Sequence, residues 1–288
     1  MLASSLMPPP VRYALGLGLA LALASCSKGG VTSGPVQAIS CQAGSWPTAD
    51  TVGIPAGTPA LTVLEGDQHT ERGGQVFDAV EFRGRLYVDH PGVVIRRSRL
   101  IGDEYYAIYS TIDDGHLTIE DSEILGGVLL TDHFVGRRNH LHAPAGGTRD
   151  DGWIFAASHV LLEDNLIDGL VGGNGAHLDG IQVMSGDDIT IRHNWIAAVS
   201  PRIDGGGVNA AVFFGPDFGE ISNVTVDCNM LIEEDGYYPL RLDARGSVVV
   251  RRNRWQRGHL GSPALATDTT ITVWEDNAYV DGEVIASP

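Results

Sequence analysis

The sequence predicts an all-β chain wound into a single right-handed parallel β-helix of about eight or more coils. Three observations predict it: one eight-residue template repeats along the chain, its apolar positions recur at period two, and the charges flanking them alternate in sign from copy to copy. The copies are VVIRRSRL, LTIEDSEI, FVGRRNHL, VLLEDNLI, ITIRHNWI, VTVDCNML, VVVRRNRW and TVWEDNAY. Aligned on their sixth residue they place Ser98, Ser122, Asn139, Asn165, Asn194, Asn229, Asn253 and Asn277 in one column. The gaps between these residues run 24, 17, 26, 29, 35, 24 and 24. A kept strand with variable insertions is how a solenoid grows, each coil covering the next one's core.

Each column has a physical reason. Five and three residues before the register position stand mostly Val, Ile, Leu and Phe, and two after it Leu, Ile, Trp or Tyr. Alternate residues of a strand share a face, so these point inward and stack. The Asn column is also inward, where stacked amides can satisfy backbone groups at a bend. Two before the register the residues run Arg96, Glu120, Arg137, Glu163, Arg192, Asp227, Arg251, Glu275. The position one before the register alternates likewise, except at Cys228. Coils ~4.8 Å apart pair opposite charges and repel like ones. Arg96-Arg97-Arg99, Arg137-Arg138 and Arg251-Arg252-Arg254 are therefore expected to brace the ladder rather than bind a ligand.

The chain divides into three stretches. Residues 1–25 carry a single charge, Arg12, and a short Ala/Leu/Gly run that suits a signal-peptide core and is too short to span a bilayer. Residues 26–58 are rich in Gly, Ser, Pro, Thr and Ala and read as a flexible linker. Residues 59–288 hold the β-helix domain. Without residues 1–25 the balance is 18 Lys+Arg (19 less Arg12) against 36 Asp+Glu, a net of −18. Such acidity argues against a nucleic-acid partner. Lys28 is the only lysine, so a cationic catalyst in the folded part must be Arg or His. Cys41 and Cys228 are left to pair or stay free, which spacing alone does not decide.

Two resemblances extend this. Leu23-Ala24-Ser25-Cys26 resembles the lipobox of bacterial lipoproteins, which implies cleavage before Cys26 and lipidation of that residue. The implied address is extracytoplasmic and lipid-anchored. That means outer membrane or periplasm in a Gram-negative host, and the outer face of the plasma membrane in a Gram-positive one. The repeat and its Asn column, over roughly residues 75–285, resemble the pectin-lyase-like superfamily of right-handed parallel β-helices. DDGWIF, HLDGIQV, NAAVFF and GYYPLRL look more narrowly like bacterial β-helix repeat proteins of unassigned reaction. The superfamily implies a polysaccharide or cell-wall glycan as partner, and the chain is expected to be monomeric. The polygalacturonase set is matched only in its single Asp-Gly positions, with no Arg-x-Lys, and the Arg-containing motif of pectate lyases is absent.

The three longest gaps are consecutive, so their insertions are expected to wall a groove on the middle coils. Within them a second strand recurs, beginning at Asp151, Asp179 and Asn209, with a fourth copy at Tyr238–Leu242. Stacking predicts a column of Asp151, Asp179 and Asn209, with Gln182 and Arg241 facing outward from the same sheet. Carboxylates one rung apart stand near the spacing that brackets a glycosidic bond in retaining hydrolases. His177 is a candidate base or orienter beside the catalytic pair Asp151 and Asp179. Substrate binding is assigned to Arg149, Asp150, Gln182, Arg202, Asn209, Tyr237, Tyr238 and Arg241, the arginines as grips for a uronate carboxylate. Trp153 offers a further ring, although it shares the parity of core positions. A single Asp-Gly is otherwise a tight turn entering a strand. Asp187-Asp188 fits a turn, and Asp103-Glu104 and Glu233-Glu234-Asp235 read as solvated loop acids. No cofactor is required by these residues; Ca²⁺ is an admissible ligand of the acids, and no metal site is assigned. The expected function is cleavage of a polysaccharide by hydrolysis or elimination, the alternative a non-catalytic glycan- or wall-binding surface protein.

Overall fold

The computed structural model describes residues 41–288, apart from 43, 132, 144–150, 171–176, 199–206, 234–235 and 258–262 and the side chains of 103–105 and 207. These residues form a parallel β-helix with three faces, and no helix occurs among them. The first face is the repeated template, from Val76–Asp78 through Leu117–Glu120, Phe134–Arg137 and Val160–Glu163 to Val273–Glu275. The second follows each register residue, from Thr62–Glu65 and Val80–Arg83 to Ala278–Tyr279. The third carries Trp153–Ala156, Gly207–Phe214 and Tyr238–Leu242. His177–Arg192 is continuous and supplies strands to both the third face and the next first face.

Pairing follows the repeat. Phe134–Arg137 lies in register on Leu117–Glu120, and Val160–Glu163 on the paired part of His177–Arg192. Nearly every inward position between Phe82 and Trp255 is fully buried. Where the template has Gly136, a Cβ would stand 2.7–2.8 Å from Leu162 and the Trp153 ring, so the indole fills the missing side chain's place.

The corner between first and second faces is built from two adjacent columns. The residue before the register is in the left-handed region at all nine rungs from Ala79 to Asp276, with φ between 47° and 61°. That conformation costs a non-glycine residue about 1 kcal/mol. Its amide still reaches the neighbouring coil, as Asp164 N donates to Arg192 O (3.3 Å) and His193 N to Asp227 O (3.0 Å). The register residue's own amide instead donates to the side-chain oxygen of the next register residue, Asn165 N to Asn194 Oδ1 (2.9 Å) and Asn194 N to Asn229 Oδ1 (2.9 Å). From Asn139 to Asn253 each Asn Nδ2 donates onward to the next Oδ1 and back to a strand carbonyl. The ladder starts one rung before the repeat becomes visible, since Val80 N donates to Ser98 Oγ. The charge ladder is formed as expected: Arg137–Glu163, Arg138–Asp121, Arg251–Asp227 and Arg252–Asp227 are ion pairs, and Arg192 pairs with Glu163.

Residues 41–58, assigned by composition to the flexible linker, are instead built into the body. Cys41 is disulfide-bonded to Cys228, where the charge ladder breaks. Trp46 is buried with its indole N–H on Cys228 O (2.8 Å), and Gly53 N donates to Arg138 O (2.8 Å). The segment is a strap along the left-handed corner. Residues 1–40, with Cys26 and the rest of that linker, lie outside the described residues.

Candidate functional site

The second recurring strand does stack. Trp153, Ile181 and Val212 are paired in register on the third face, with Leu240 next. At its start, Asp179 N donates to Asp151 Oδ1 (2.7 Å), and Asn209 Nδ2 donates to both Asp179 carboxylate oxygens (3.1 and 3.3 Å). The expected column of Asp151, Asp179 and Asn209 is therefore a continuous hydrogen-bonded chain across three coils. It includes a bulge: Leu178 faces Val208 but Asp179 faces Ala210, so Asn209 is the extra residue, its side chain turned back to Asp179.

The Asp-Gly pairs owe their glycines to close packing, not to a positive-φ turn. A Cβ on Gly180 would stand 2.6 Å from Ala211 O and press on Ile196, and one on Gly152 would meet Gly180 O. Backbone this close leaves no room for a side chain, and neither glycine is in the left-handed region. Asp187 and Asp188, expected to form a turn, lie instead within the continuous strand His177–Arg192, where it bends from one face to the next. Asp188 takes a left-handed corner, and Asp187 accepts from Ser222 Oγ and Asn223 Nδ2.

Burial separates the candidates. Asp179 is 1 % exposed and Asp151 9 %. Burial holds the Asp179 carboxyl well above the usual carboxylate range, and the charge of Asp151 pushes the same way. The Asn209 amide, the Ala210 N–H and the Arg241 guanidinium pull it down by less. A carboxyl raised in this way beside a second carboxyl is the pairing that general-acid chemistry uses. His177 is exposed and lies across from Gly207. Gln182 and Arg241 share one outward column, as expected, separated by Phe213, over whose ring the guanidinium lies at 4.5 Å. Tyr238 is partly exposed opposite Ala210, and Tyr237 is exposed with its ring centre 6.2 Å away.

Two expectations are corrected. Trp153 is no sugar platform: it is fully buried and parallel to Phe134 at 5.8 Å, because parity turns it inward under Gly136. Glu233 is no solvated loop acid: it is fully buried, packed so close to Gly236 that a Cβ there would come within 2.7 Å of its Oε1. Tyr237 N, just beyond, donates to Asn209 O (3.1 Å), which puts this third acid one coil past Asn209. Its place after the buried Leu231 was the sequence signal, masked by the two acids that follow. Arg149, Asp150, Arg202, Glu234 and Asp235, the side chains of Asp103 and Glu104, and the inserted loops expected to wall the groove lie outside the described residues. Among the described residues no group of three or more His, Cys, Asp or Glu is arranged to hold a metal ion.

No family model, curated protein or solved structure matches the chain.

Proposed function

We propose that the chain is a pectin-lyase-like, carbohydrate-active β-helix protein that cleaves a polysaccharide at the acid column of its middle coils. The observation that carries this is the buried chain Asp151–Asp179–Asn209, with the Asp179 carboxyl pushed up by burial and by Asp151. In that arrangement Asp179 donates a proton to the leaving oxygen. Asp151 supplies the second carboxyl, Asn209 fixes the Asp179 carboxyl, and Arg241 and Gln182 position the glycan from the outward column. Sequence resemblance at Cys26 extends the proposal to a lipid-anchored protein outside the cytoplasm, which palmitate labelling of the full chain and of Cys26→Ala would test.

The test of cleavage is Asp179→Asn, which removes the acid and is nearly isosteric. The parent releases new chain ends from at least one member of a polysaccharide panel, and the variant, with an unchanged circular dichroism spectrum, releases none. A parent that cleaves nothing in the panel sinks the proposal. A second reading, binding without cleavage, is favoured by the 1 % exposure of Asp179. It expects the parent and Asp179→Asn to bind the same glycan equally without product.

A further inference from the structure

The outward column that holds Gln182 and Arg241 continues without a break toward the first coils. Strand register links Gln182 to Ile154, Leu129, Tyr109, Tyr87 and His69 in turn. Where the middle coils put aliphatic side chains, the first three put rings. His69 and Tyr87 stack at 4.5 Å with planes 7° apart, close to the rung spacing, so they are piled along the axis and offer ring edges and polar tips outward. Tyr109 stands at 63° to Tyr87, its plane turned into the axis direction, with Tyr106 beside it at 6.5 Å. None of these rings belongs to the core, and the His69 side chain is 62 % exposed.

The charges around the rings favour one kind of ligand. His69 Nδ1 is 2.7 Å from Asp89, and Arg85 donates to the Tyr87 hydroxyl (3.1 Å) and the Tyr106 carbonyl (3.3 Å). Both groups are engaged, Asp89 is an acid, and the chain carries −17 overall. A polyanion is repelled by such a patch. A neutral sugar matches it, with apolar ring faces for Tyr109 and hydroxyls for the phenols, His69 and Asp89. Tyr87 lies four rungs from Gln182, roughly 19 Å at ~4.8 Å per rung, so a ligand touching both the rings and the acid column must be a chain.

We propose that His69, Tyr87, Tyr106 and Tyr109 form a binding platform for an uncharged, linear polysaccharide whose chain runs along the third face toward Asp179. The platform rests on the carbohydrate reading above but not on cleavage, and the two fail separately.

The experiment is native affinity electrophoresis of the full chain in gels containing soluble xylan, mixed-linkage β-glucan or polygalacturonate. At least one uncharged polymer retards the parent. Tyr87→Ala/Tyr109→Ala weakens that retention about tenfold, the loss of two ring contacts. Tyr87→Phe/Tyr109→Phe keeps the rings and most of the retention, which separates lost contact from lost fold. Retention by polygalacturonate alone, by no polymer, or equally for the double-alanine variant overturns the platform. Retention with no new chain ends from any polymer leaves the platform standing and sinks cleavage alone.

Discussion

Replacing Asn194 by alanine tests the central claim about stability, that the Asn ladder supplies hydrogen bonds the left-handed corner takes from the backbone. Asn194 is fully buried at mid-stack. Its Oδ1 accepts from both Asn165 N and Asn165 Nδ2 at 2.9 Å, and its Nδ2 donates to Leu162 O and Asn229 Oδ1 at 2.9 and 3.0 Å. Alanine strands two donors on Asn165 in a site closed to water. At about 1–3 kcal/mol for each unsatisfied buried group, the cost is about 4 kcal/mol. Serine is milder, because Ser98 and Ser122 fill this position on the first rungs. Each accepts the preceding register amide at 3.1 Å and donates to the carbonyl two residues back. Denaturant unfolding followed by circular dichroism, read at unchanged slope, measures both variants. The expected order is parent, then Asn194→Ser, then Asn194→Ala. An alanine variant within 1 kcal/mol of the parent, or a serine variant as damaged as alanine, refutes the reasoning.

Three further outcomes follow from the same geometry. Glu123 accepts from His142 (3.0 Å) and Arg99, and these partners, His142 foremost, lower its carboxyl from 4.5 to about 2, while the same bond raises His142 above 6.5. The Glu123 contribution is lost as pH falls from 4.5 toward 2, and the His142 contribution as pH rises past 6.5. His142→Gln should therefore cost most near pH 5.5 and least near pH 8.5, and equal unfolding midpoint shifts at both would contradict it. Cys41→Ser/Cys228→Ser should lower stability by about 2–4 kcal/mol and shift Trp46 fluorescence to the red as the strap lifts, with the strand signal kept. Gly180→Ala should cost about 1–3 kcal/mol by overpacking against Ala211 O, whereas Gly57→Ala, with open space around it, costs only its positive-φ strain. Equal midpoints for the two glycine variants would rule out close approach as the reason for Asp-Gly.

The fold was legible because its signals are columnar. Apolar period, Asn register and alternating charge repeat at each coil, so one coil checks another. The Val80 rung was not legible, since valine at the register breaks the polar column although the backbone turns there identically. The strap was hidden for another reason: Gly, Pro and Thr between Cys41 and Thr58 look like linker. Its docking depends on Trp46 and on a cysteine 187 residues away. In the site, stacking logic found Asp151, Asp179 and Asn209 but not the bulge that turns Asn209 back, because register slips leave no periodic trace. Burial of Glu233 escaped because it leads a run of acids whose composition suggests solvent.

The strap also sets an order of assembly. A chain emerging N-terminus first can stack each coil on the last as it is completed. Cys41 meets its partner only after the rung of Asn229 has been added, with every intervening coil in step. A coil slipped by one rung would bring His193 or Arg252, the neighbours in the Cys228 column, to the place where a thiol is needed. Closure of this bond therefore proofreads the winding: it counts the turns already made and seals a chain that has counted correctly.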